Sequence, residues 1–269
     1  MRLPSILKKR EFAPSLTGRK INDASVENYY SSLPESMLIS AKLGYAYVIN
    51  EPLLEVGGDG FWIHEEGNMI YFAVFDCMGH GRMATIMTRL YIQYLEETVK
   101  GNNSITPAEI LTDLHERVKG QFESKSDRHL GTGADMAILR IDKKKKKMLF
   151  SGAKMELIAV NQKEVKRIKS NKRSIGEYFD TARQYSDIEI STQTSLETKY
   201  YLFSDGITDL FGGDRGKKLR FSGLEAILKK LSHISILKES TLIKKELKLW
   251  EGNNERLDDV LLIGFKVVL

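Results

Sequence analysis

The sequence has very little cysteine and no long apolar run. Cys77 is the one cysteine among 269 residues, which excludes an intramolecular disulfide and a zinc site built from several thiolates. A chain without disulfides fits a reducing compartment, so we expect a cytoplasmic protein. No stretch approaches the roughly 18 apolar residues that a membrane-spanning helix needs. The N-terminal residues MRLPSILKKREF lack the apolar segment and the small-residue cleavage site of a signal peptide.

Positive charge is only slightly in excess, at +5 for the whole chain. Most Lys and Arg residues are dispersed, and the two dense runs are KKKKK at 143–147 and KRIKSNKR at 166–173. We interpret both runs as solvated turns. No recognition motif or set of interleaved aromatic residues accompanies them, so we expect no nucleic-acid partner. A membrane-surface or nucleic-acid contact through these runs stays open as an alternative.

The chain divides into a short N-terminal region and one larger domain. Residues 1–40 are basic and polar, and their pattern predicts a tail that leads into an amphipathic helix within 24–40. Residues 41–269 alternate between strand-like and helix-like segments and are long enough for one large domain. We therefore place a domain boundary at residue 40.

Apolar periodicity predicts an α+β fold for the larger domain. Spacings of three and four from Met83 to Tyr94 predict a helix, and Thr106 with Glu109 forms a capping box that begins a second one. A Gly-Asn pair at 67–68 marks a hairpin. Neighbouring strands joined by hairpins favour a layered sandwich over a doubly wound sheet. The predicted strands are 46–50, 61–65, 69–76, 134–142, 147–153, 155–160, 198–205 and 258–267, and two later helices are predicted over 223–232 and 238–250.

Four aspartates stand where apolar segments meet loops. Asp76 ends VFD, Asp205 ends YLFSD, Asp258 opens the last strand, and Asp59 lies in GGDG just before FWI. Carboxylates gathered at strand ends repel one another unless a cation compensates them, and Mg²⁺ and Mn²⁺ prefer oxygen ligands. This pattern predicts an oxygen-lined metal site. The alternative is that each aspartate simply forms a turn beside its flanking glycines.

Six segments of the chain form an ordered set of motifs. They are VGGDGFW at 56–62, VFDCMGHGRMA at 74–84, GADMAILRID at 133–142, FSGAKMELIAV at 150–160, YYLFSDGITDL at 200–210 and LDDVLLIGF at 257–265. Taken in order, these segments resemble the PPM family of metal-dependent protein phosphatases in its bacterial SpoIIE-like branch. The resemblance spans about residues 40–269 and implies a four-layer αββα sandwich with two central antiparallel sheets.

The resemblance also implies a ligand set for two Mn²⁺ or Mg²⁺ ions. Asp76 would bridge the ions, and the backbone carbonyl of Cys77 would bind one of them. Asp205 and Asp258 would hold the other ion, and Asp59 would bind metal directly or through water. Gly60, His80 and Asp259 would lie next to these ligands and help to position them without binding metal themselves.

Three further residues keep alternatives open. His80 is a candidate general acid, but it does not fall at the offset of the histidine in the eukaryotic relatives, so a role in stabilising the turn is also open. Asp127 lies in DRHLGTG, where some family members bind a third ion, and a solvated loop is the alternative. Asp135 begins a strand, and we expect it to be structural.

The activity that the resemblance implies is hydrolysis of phosphoserine or phosphothreonine on a regulatory protein by a metal-activated water. In this branch the substrate is usually a STAS-domain protein of a partner-switching circuit that antagonises an anti-sigma factor. A catalytically degenerate module that only binds its phosphorylated partner is the alternative function. The N-terminal helix is a candidate for homodimer formation.

Overall fold

The computed structural model describes residues 36–79, 81–122, 132–177, 185–191 and 198–268. Its first element is a short helix, α1 (Ser36–Leu43), which crosses the predicted boundary at residue 40. Ile39 and Leu43 of this helix are buried in the main core. The tail and the earlier part of the predicted lead-in helix lie outside the described residues, and the homodimer stays a prediction.

Among the described residues, twelve strands and five further helices follow α1. The strands are β1 (Gly44–Glu51), β2 (Asp59–Glu66), β3 (Met69–Cys77), β4 (Ala134–Asp142), β5 (Lys147–Ala153), β6 (Leu157–Val160), β7 (Val165–Ile168), β8 (Ile188–Ser191), β9 (Lys199–Phe203), β10 (Phe211–Gly212), β11 (Lys217–Lys218) and β12 (Val260–Val267). The helices are α2 (Arg82–Val99), α3 (Pro107–Gln121), α4 (Asp205–Thr208), α5 (Arg220–Lys230) and α6 (Ile236–Glu251).

Ten of the strands form two five-stranded antiparallel sheets. Sheet A has the order β1-β12-β9-β6-β7, and sheet B has the order β2-β3-β4-β5-β8. In sheet A, β12 pairs with β1 on one side and β9 on the other, so a strand from the end of the domain joins its first strand to the rest. The short strands β10 and β11 form a separate hairpin.

Three apolar layers hold four structural layers together. The inner faces of the two sheets meet in the central core, where Phe72, Phe150 and Phe265 are fully buried. Helices α2 and α3 cover the outer face of sheet B, and α5 and α6 cover the outer face of sheet A. A strand covered on both faces needs a continuous apolar run, and this explains why β3 reads MIYFAVFDC. The predicted αββα sandwich is confirmed.

Local sequence signals set several element ends. The side chain of Thr106 accepts a hydrogen bond from the Glu109 amide, and the Glu109 carboxylate accepts one from the Thr106 amide, so the predicted capping box begins α3. Gly67, with φ of 60°, forms the predicted turn between β2 and β3. None of the helices in the part of the chain that the structure describes is long and apolar enough to cross a membrane.

The two basic runs differ in structure. Residues 143–146 form the turn between β4 and β5, as predicted. The prediction of a turn for 166–173 is wrong for its first part, because 166–168 belong to β7, which pairs with β6 at the edge of sheet A. Lys166 and Arg167 are both exposed and Ile168 is buried, and exposed charged residues suit a strand at the edge of a sheet.

Candidate metal centre

Sheet B places Asp59 and Asp76 side by side. The two residues are direct partners in the antiparallel register of β2 and β3. The amide of Cys77 donates a hydrogen bond to the carbonyl of Gly58 at 3.1 Å, which extends the ladder past Asp59. On the other side of β3, Asp135 is the register partner of Asp76. Three aspartates therefore lie in one row across three neighbouring strands.

Sheet A supplies Asp205 and Asp258 from its own strand ends. Asp205 follows β9 as the first residue of α4, and Asp258 precedes β12. The two segments pack without space for a side chain at Gly206, because a Cβ there would lie 1.8 Å from the carbonyl oxygen of Asp259. This close contact keeps the loop after β9 beside the loop before β12, so Asp205 and Asp258 are neighbours.

A buried serine connects the two sheets at this point. The hydroxyl of Ser204 donates to the Asp59 carboxylate at 2.6 Å and accepts from the Leu261 amide at 3.0 Å. Ser204 and Asp59 are each 1% exposed. A carboxylate that is buried and hydrogen-bonded in this way has a fixed orientation. Asp59 is therefore tied to sheet A although it belongs to sheet B.

The four aspartates act on one another electrostatically. Burial and the carboxylates of Asp59, Asp205, Asp258 and Asp135 raise the pKa of Asp76 to about 10. Burial also raises the pKa of Asp59, with Asp259, Asp258 and Asp205 adding to the effect and the Ser204 hydrogen bond opposing it. Desolvation and the nearby carboxylates favour the neutral form of each acid. The structure thus gathers four predicted site aspartates into one strongly acidic cleft.

The carboxyl groups of Asp205 and Asp76 interact with each other. Burial, Asp258, Asp209 and Asp135 raise the pKa of Asp205, while a hydrogen bond between its carboxyl group and that of Asp76 lowers it. Two carboxyl groups bond in this way only when one of them is protonated, and a cation bound between them would replace that proton. Oxygen donors of this kind suit Mg²⁺ or Mn²⁺.

The described residues contain no group of three His, Cys, Asp or Glu side chains that is already arranged around one point as metal ligands. What the structure presents is a carboxyl pair with Asp59 and Asp258 within electrostatic range. The donor chemistry fits a hard divalent cation, and the full ligand set and the number of ions stay predictions.

Asp259 has a different function from its neighbour in sequence. Its Oδ1 accepts a hydrogen bond from the Leu53 amide at 2.7 Å, and its Oδ2 accepts one from the Gly58 amide at 2.6 Å. These bonds fix the loop between β1 and β2, which leads into Asp59 at the start of β2. The carboxylate of Asp259 is therefore engaged with backbone amides, and its support of the metal ligands stays a prediction.

Gly60 and Cys77 occupy crowded positions behind the acids. A Cβ at Gly60 would lie 2.4 Å from the ring of Phe75, so no larger residue fits between β2 and α2. The Cys77 side chain is 1% exposed, and burial raises the pKa of its thiol above the usual value. A protonated, buried thiol is a poor nucleophile. His80 and Asp127 lie outside the described residues, and their roles stay predictions.

The acidic cleft opens into a cavity of about 340 Å³. Asp76, Asp205 and Asp135 line it, although Asp135 was expected to be structural. Ser174 and Lys154 both contact Asp135. The strand register explains this position, because β4 pairs with β3 so that Asp135 faces Asp76. Basic residues from three distant segments, Lys154, Arg167 and Arg220, also line the cavity.

Comparison with known proteins adds independent information. The family model described as "Stage II sporulation protein E (SpoIIE)" matches residues 66–268. Asp76, Asp205 and Asp258 lie within this match, and Asp59 precedes it. No curated protein sequence shows a significant match to the chain.

Solved structures share the fold. The PP2C domain of SiaA from Pseudomonas aeruginosa is 25% identical, with a TM-score of 0.81 over 91% of this chain and 94% of that one. The PP2C phosphatase domain of SpoIIE from Bacillus subtilis is 14% identical, with a TM-score of 0.65 over 82% of this chain and 62% of that one. A structure of RsbX in complex with magnesium is 16% identical, with a TM-score of 0.57 over 83% and 94% of the two chains. Since the family model covers more than half of its residues, this chain belongs to the SpoIIE family of PP2C-like domains.

Proposed function

We propose that this chain is a metal-dependent protein serine/threonine phosphatase. The observation that carries the proposal is the convergence of Asp59 and Asp76 from one sheet with Asp205 and Asp258 from the other. In the cleft that they form, burial and the neighbouring carboxylates raise the pKa of Asp76 to about 10. Such a cleft attracts cations. The family relationship to PP2C domains supports phosphoester hydrolysis as the reaction that the cations serve.

The cofactor that we propose is Mn²⁺ or Mg²⁺, with two ions per site. Asp76 would be shared by the two ions, the Cys77 carbonyl would bind one of them, and Asp205 and Asp258 would hold the other. Asp59 would bind directly or through water. Bound divalent cations lower the pKa of water toward neutrality and neutralise the charge of phosphoryl oxygens. The RsbX structure obtained in complex with magnesium supports a divalent ion in this fold.

The side chains of this chain prepare the site for that chemistry. Ser204 orients Asp59 through a 2.6 Å hydrogen bond, and Asp259 fixes the loop that precedes Asp59. A cation held at the acidic cleft would replace a proton at Asp76, because burial and the neighbouring carboxylates raise the pKa of this residue to about 10. The cavity of about 340 Å³ lies within the size range of small-ligand sites, roughly 300–1,000 Å³, and admits a phosphorylated side chain.

The substrate that we propose is a phosphorylated regulatory protein of the cytoplasm, and a STAS-domain antagonist of an anti-sigma factor fits best. Support comes from the structures of similar fold, which include SpoIIE and a Mycobacterium tuberculosis protein with RsbU and RsbW domains. The solved chain of the Mycobacterium tuberculosis protein is 16% identical to this chain, with a TM-score of 0.63. A phosphoproteome that gains one serine or threonine site when Asp205→Ala replaces the native protein would identify the substrate.

The central test is hydrolysis of p-nitrophenyl phosphate in the presence of Mn²⁺. We expect Asp76→Asn to lower kcat by roughly a thousandfold or more, because it removes the carboxylate that holds the ions. Asp142→Asn is the matched control. Asp142 lies at the opposite end of β4 and accepts a hydrogen bond from the Lys145 amide at 2.8 Å, which asparagine retains. Full activity of Asp76→Asn in excess chelator would rule out the metal-dependent reaction.

The second candidate is a degenerate module that binds a phosphoprotein without hydrolysing it. It is favoured only if the acidic cleft fails to hold metal. Calorimetric titration of the metal-free protein with Mn²⁺ separates the two functions, because the phosphatase requires saturable binding that Asp76→Asn abolishes. A protein that binds the phosphorylated partner but takes up no Mn²⁺ at millimolar concentration would be the degenerate module.

A further inference from the structure

Basic residues line the same cavity as the acidic cleft. Lys154 lies in the connection from β5 to β6, Arg167 is in β7, and Arg220 is the first residue of α5. Lys154 and Arg167 lie on either side of β6, whereas Arg220 comes from a segment much later in the chain. The cavity therefore combines a site for cations with a second group of residues that suits an anion.

Two of the three basic residues are compensated within the protein. The Lys154 ammonium lies 3.7 Å from the Asp135 carboxylate. The Arg167 guanidinium forms an ion pair with Glu156 and stacks over the ring of Phe221, 4.1 Å from its centroid. In the part of the chain that the structure describes, no hydrogen bond or ion pair engages the Arg220 side chain. Arg220 is thus the basic residue of the cavity that is available to an incoming anion.

The backbone at Arg220 is held in an uncommon conformation. Its φ is 59°, in the left-handed region, and Lys154 has a φ of 61°. Two of the three non-glycine residues with positive φ among those described therefore line this one cavity. A positive φ is unfavourable for a residue of this size, and such strain is concentrated at functional sites. The exposed Arg220 lines the cavity with its backbone in this conformation.

We propose that Arg220 is a specificity-determining residue that binds a carboxylate of the substrate next to the phosphorylated residue. This proposal rests on the proposed phosphatase function. Asp76 is partly buried, whereas Arg220 is exposed at the same cavity. When the phosphoryl group lies at the aspartates, the exposed Arg220 faces the polypeptide that carries it. The substrate class is accordingly a phosphoserine or phosphothreonine segment with acidic flanking residues.

The test compares matched phosphoserine peptides whose flanking residues are Asp, Ala or Lys, with p-nitrophenyl phosphate assayed in parallel with Mn²⁺. Arg220→Asn removes the charge but tolerates a positive φ, and Arg220→Lys retains the charge. The matched control is Arg215→Asn, at an exposed arginine of the β10–β11 turn that is not part of the cavity lining.

We expect Arg220→Asn to lower kcat/KM roughly fivefold for the Asp-flanked peptide, as for a partly exposed charge pair, and to leave the Ala-flanked peptide and p-nitrophenyl phosphate unchanged. Arg220→Glu should reverse the preference in favour of the Lys-flanked peptide. The Asp preference of the native protein should shrink as salt screens the pair, and Arg215→Asn should behave as native.

Two outcomes overturn the proposal. An equal loss of kcat/KM on all peptides and on p-nitrophenyl phosphate would show that Arg220 binds the phosphoryl group itself. An unchanged kcat/KM on every substrate would show that Arg220 takes no part in substrate recognition. Both outcomes require a native protein that hydrolyses p-nitrophenyl phosphate. A native protein that is inactive on every substrate with Mn²⁺ would instead contradict the proposed function, so the two failures are distinguishable.

Discussion

Two carboxyl groups of this protein, those of Glu239 and Asp76, are withdrawn from water in opposite electrostatic surroundings. Glu239 is fully buried and lies 2.7 Å from the Lys199 ammonium, and it accepts hydrogen bonds from the hydroxyls of Tyr201 at 3.0 Å and Tyr47 at 3.4 Å. Burial raises the pKa of Glu239, but these partners oppose the shift. Around Asp76 the charged neighbours are other carboxylates, and all of them raise its pKa further.

The difference separates a structural polar group from a functional one. At Glu239, on the buried face of α6, the chain supplies its own cation and satisfies the carboxylate with hydroxyl groups, so nothing from solution is needed. At Asp76 the fold concentrates negative charge, which lowers the stability of the metal-free protein. Such a cost is reasonable where a cation from solution is to be bound.

Lys199→Met should give the largest loss of stability. It leaves the buried Glu239 without its cation, and breaking a buried pair in this way costs about 3–5 kcal/mol of unfolding free energy. Urea denaturation measures the loss. The double variant Lys199→Met/Glu239→Leu should recover most of it, because no uncompensated charge remains. A single variant as stable as the native protein would show that Glu239 is not held as a charged pair.

Asp259→Ala should have the next largest effect. The Asp259 carboxylate accepts hydrogen bonds from the amides of Leu53 and Gly58, and losing charged hydrogen bonds of this type costs about 1.5–3 kcal/mol. We also expect weaker Mn²⁺ binding by calorimetry, since the loop that precedes Asp59 is no longer held in place by these hydrogen bonds. Asp259→Asn keeps one acceptor oxygen and should fall between alanine and native. Unchanged Mn²⁺ affinity in Asp259→Ala would show that this loop does not contribute to metal binding.

Mn²⁺ affinity should rise with pH. Because the pKa of Asp76 is raised to about 10 in the metal-free fold, a cation must displace a proton at any pH below that value. For each proton released, affinity increases about tenfold per pH unit. Calorimetry between pH 6 and pH 8, in buffers of different ionisation enthalpy, counts the protons. Affinity that is independent of pH over this range would contradict the raised pKa.

Removing a carboxylate from the cleft should stabilise the metal-free protein slightly. The folded-state pKa of Asp76 lies above its unfolded value, so this group lowers the stability progressively as pH rises from about 4 toward 10. At pH 8 in chelator, Asp76→Asn should therefore unfold about 2–4 °C higher than the native protein, as for a gain of about 1 kcal/mol. The gain should vanish near pH 4. A lower melting temperature for Asp76→Asn at pH 8 would show that Asp76, like Glu239, is compensated within the metal-free protein.

Patterns that act over a few residues could be predicted from the sequence. The capping box of Thr106 and Glu109 and the turn at Gly67 depend on neighbouring residues, and both are present in the structure. The continuous apolar run of β3 predicts a buried strand, and the structure has one there. Aspartates at strand ends indicated the acidic cleft, and the ordered family segments indicated the αββα sandwich.

Features that depend on contacts between distant segments could not be predicted. The position of Asp135 follows from the register of β3 and β4, and no local pattern marks it. Arg220 reaches the cavity through a left-handed backbone conformation, which sequence patterns do not specify for arginine. The strand β7 was missed because its two solvated residues, Lys166 and Arg167, carry the signature of a charged turn. Register, backbone conformation and edge position are decided by tertiary packing.

The position of β12 between β1 and β9 has a consequence for the synthesis of the protein. Gly58 and Asp259 are 201 residues apart in the chain yet share a hydrogen bond, so the loop that carries Asp59 is fixed only after β12 has been made. A nascent chain on the ribosome can form the β2–β3–β4 ladder early, but it holds an unclosed sheet A until translation has passed β12. Long-range pairing of this kind folds slowly and exposes strand edges meanwhile. The phosphatase activity that we propose would therefore be silent throughout most of elongation.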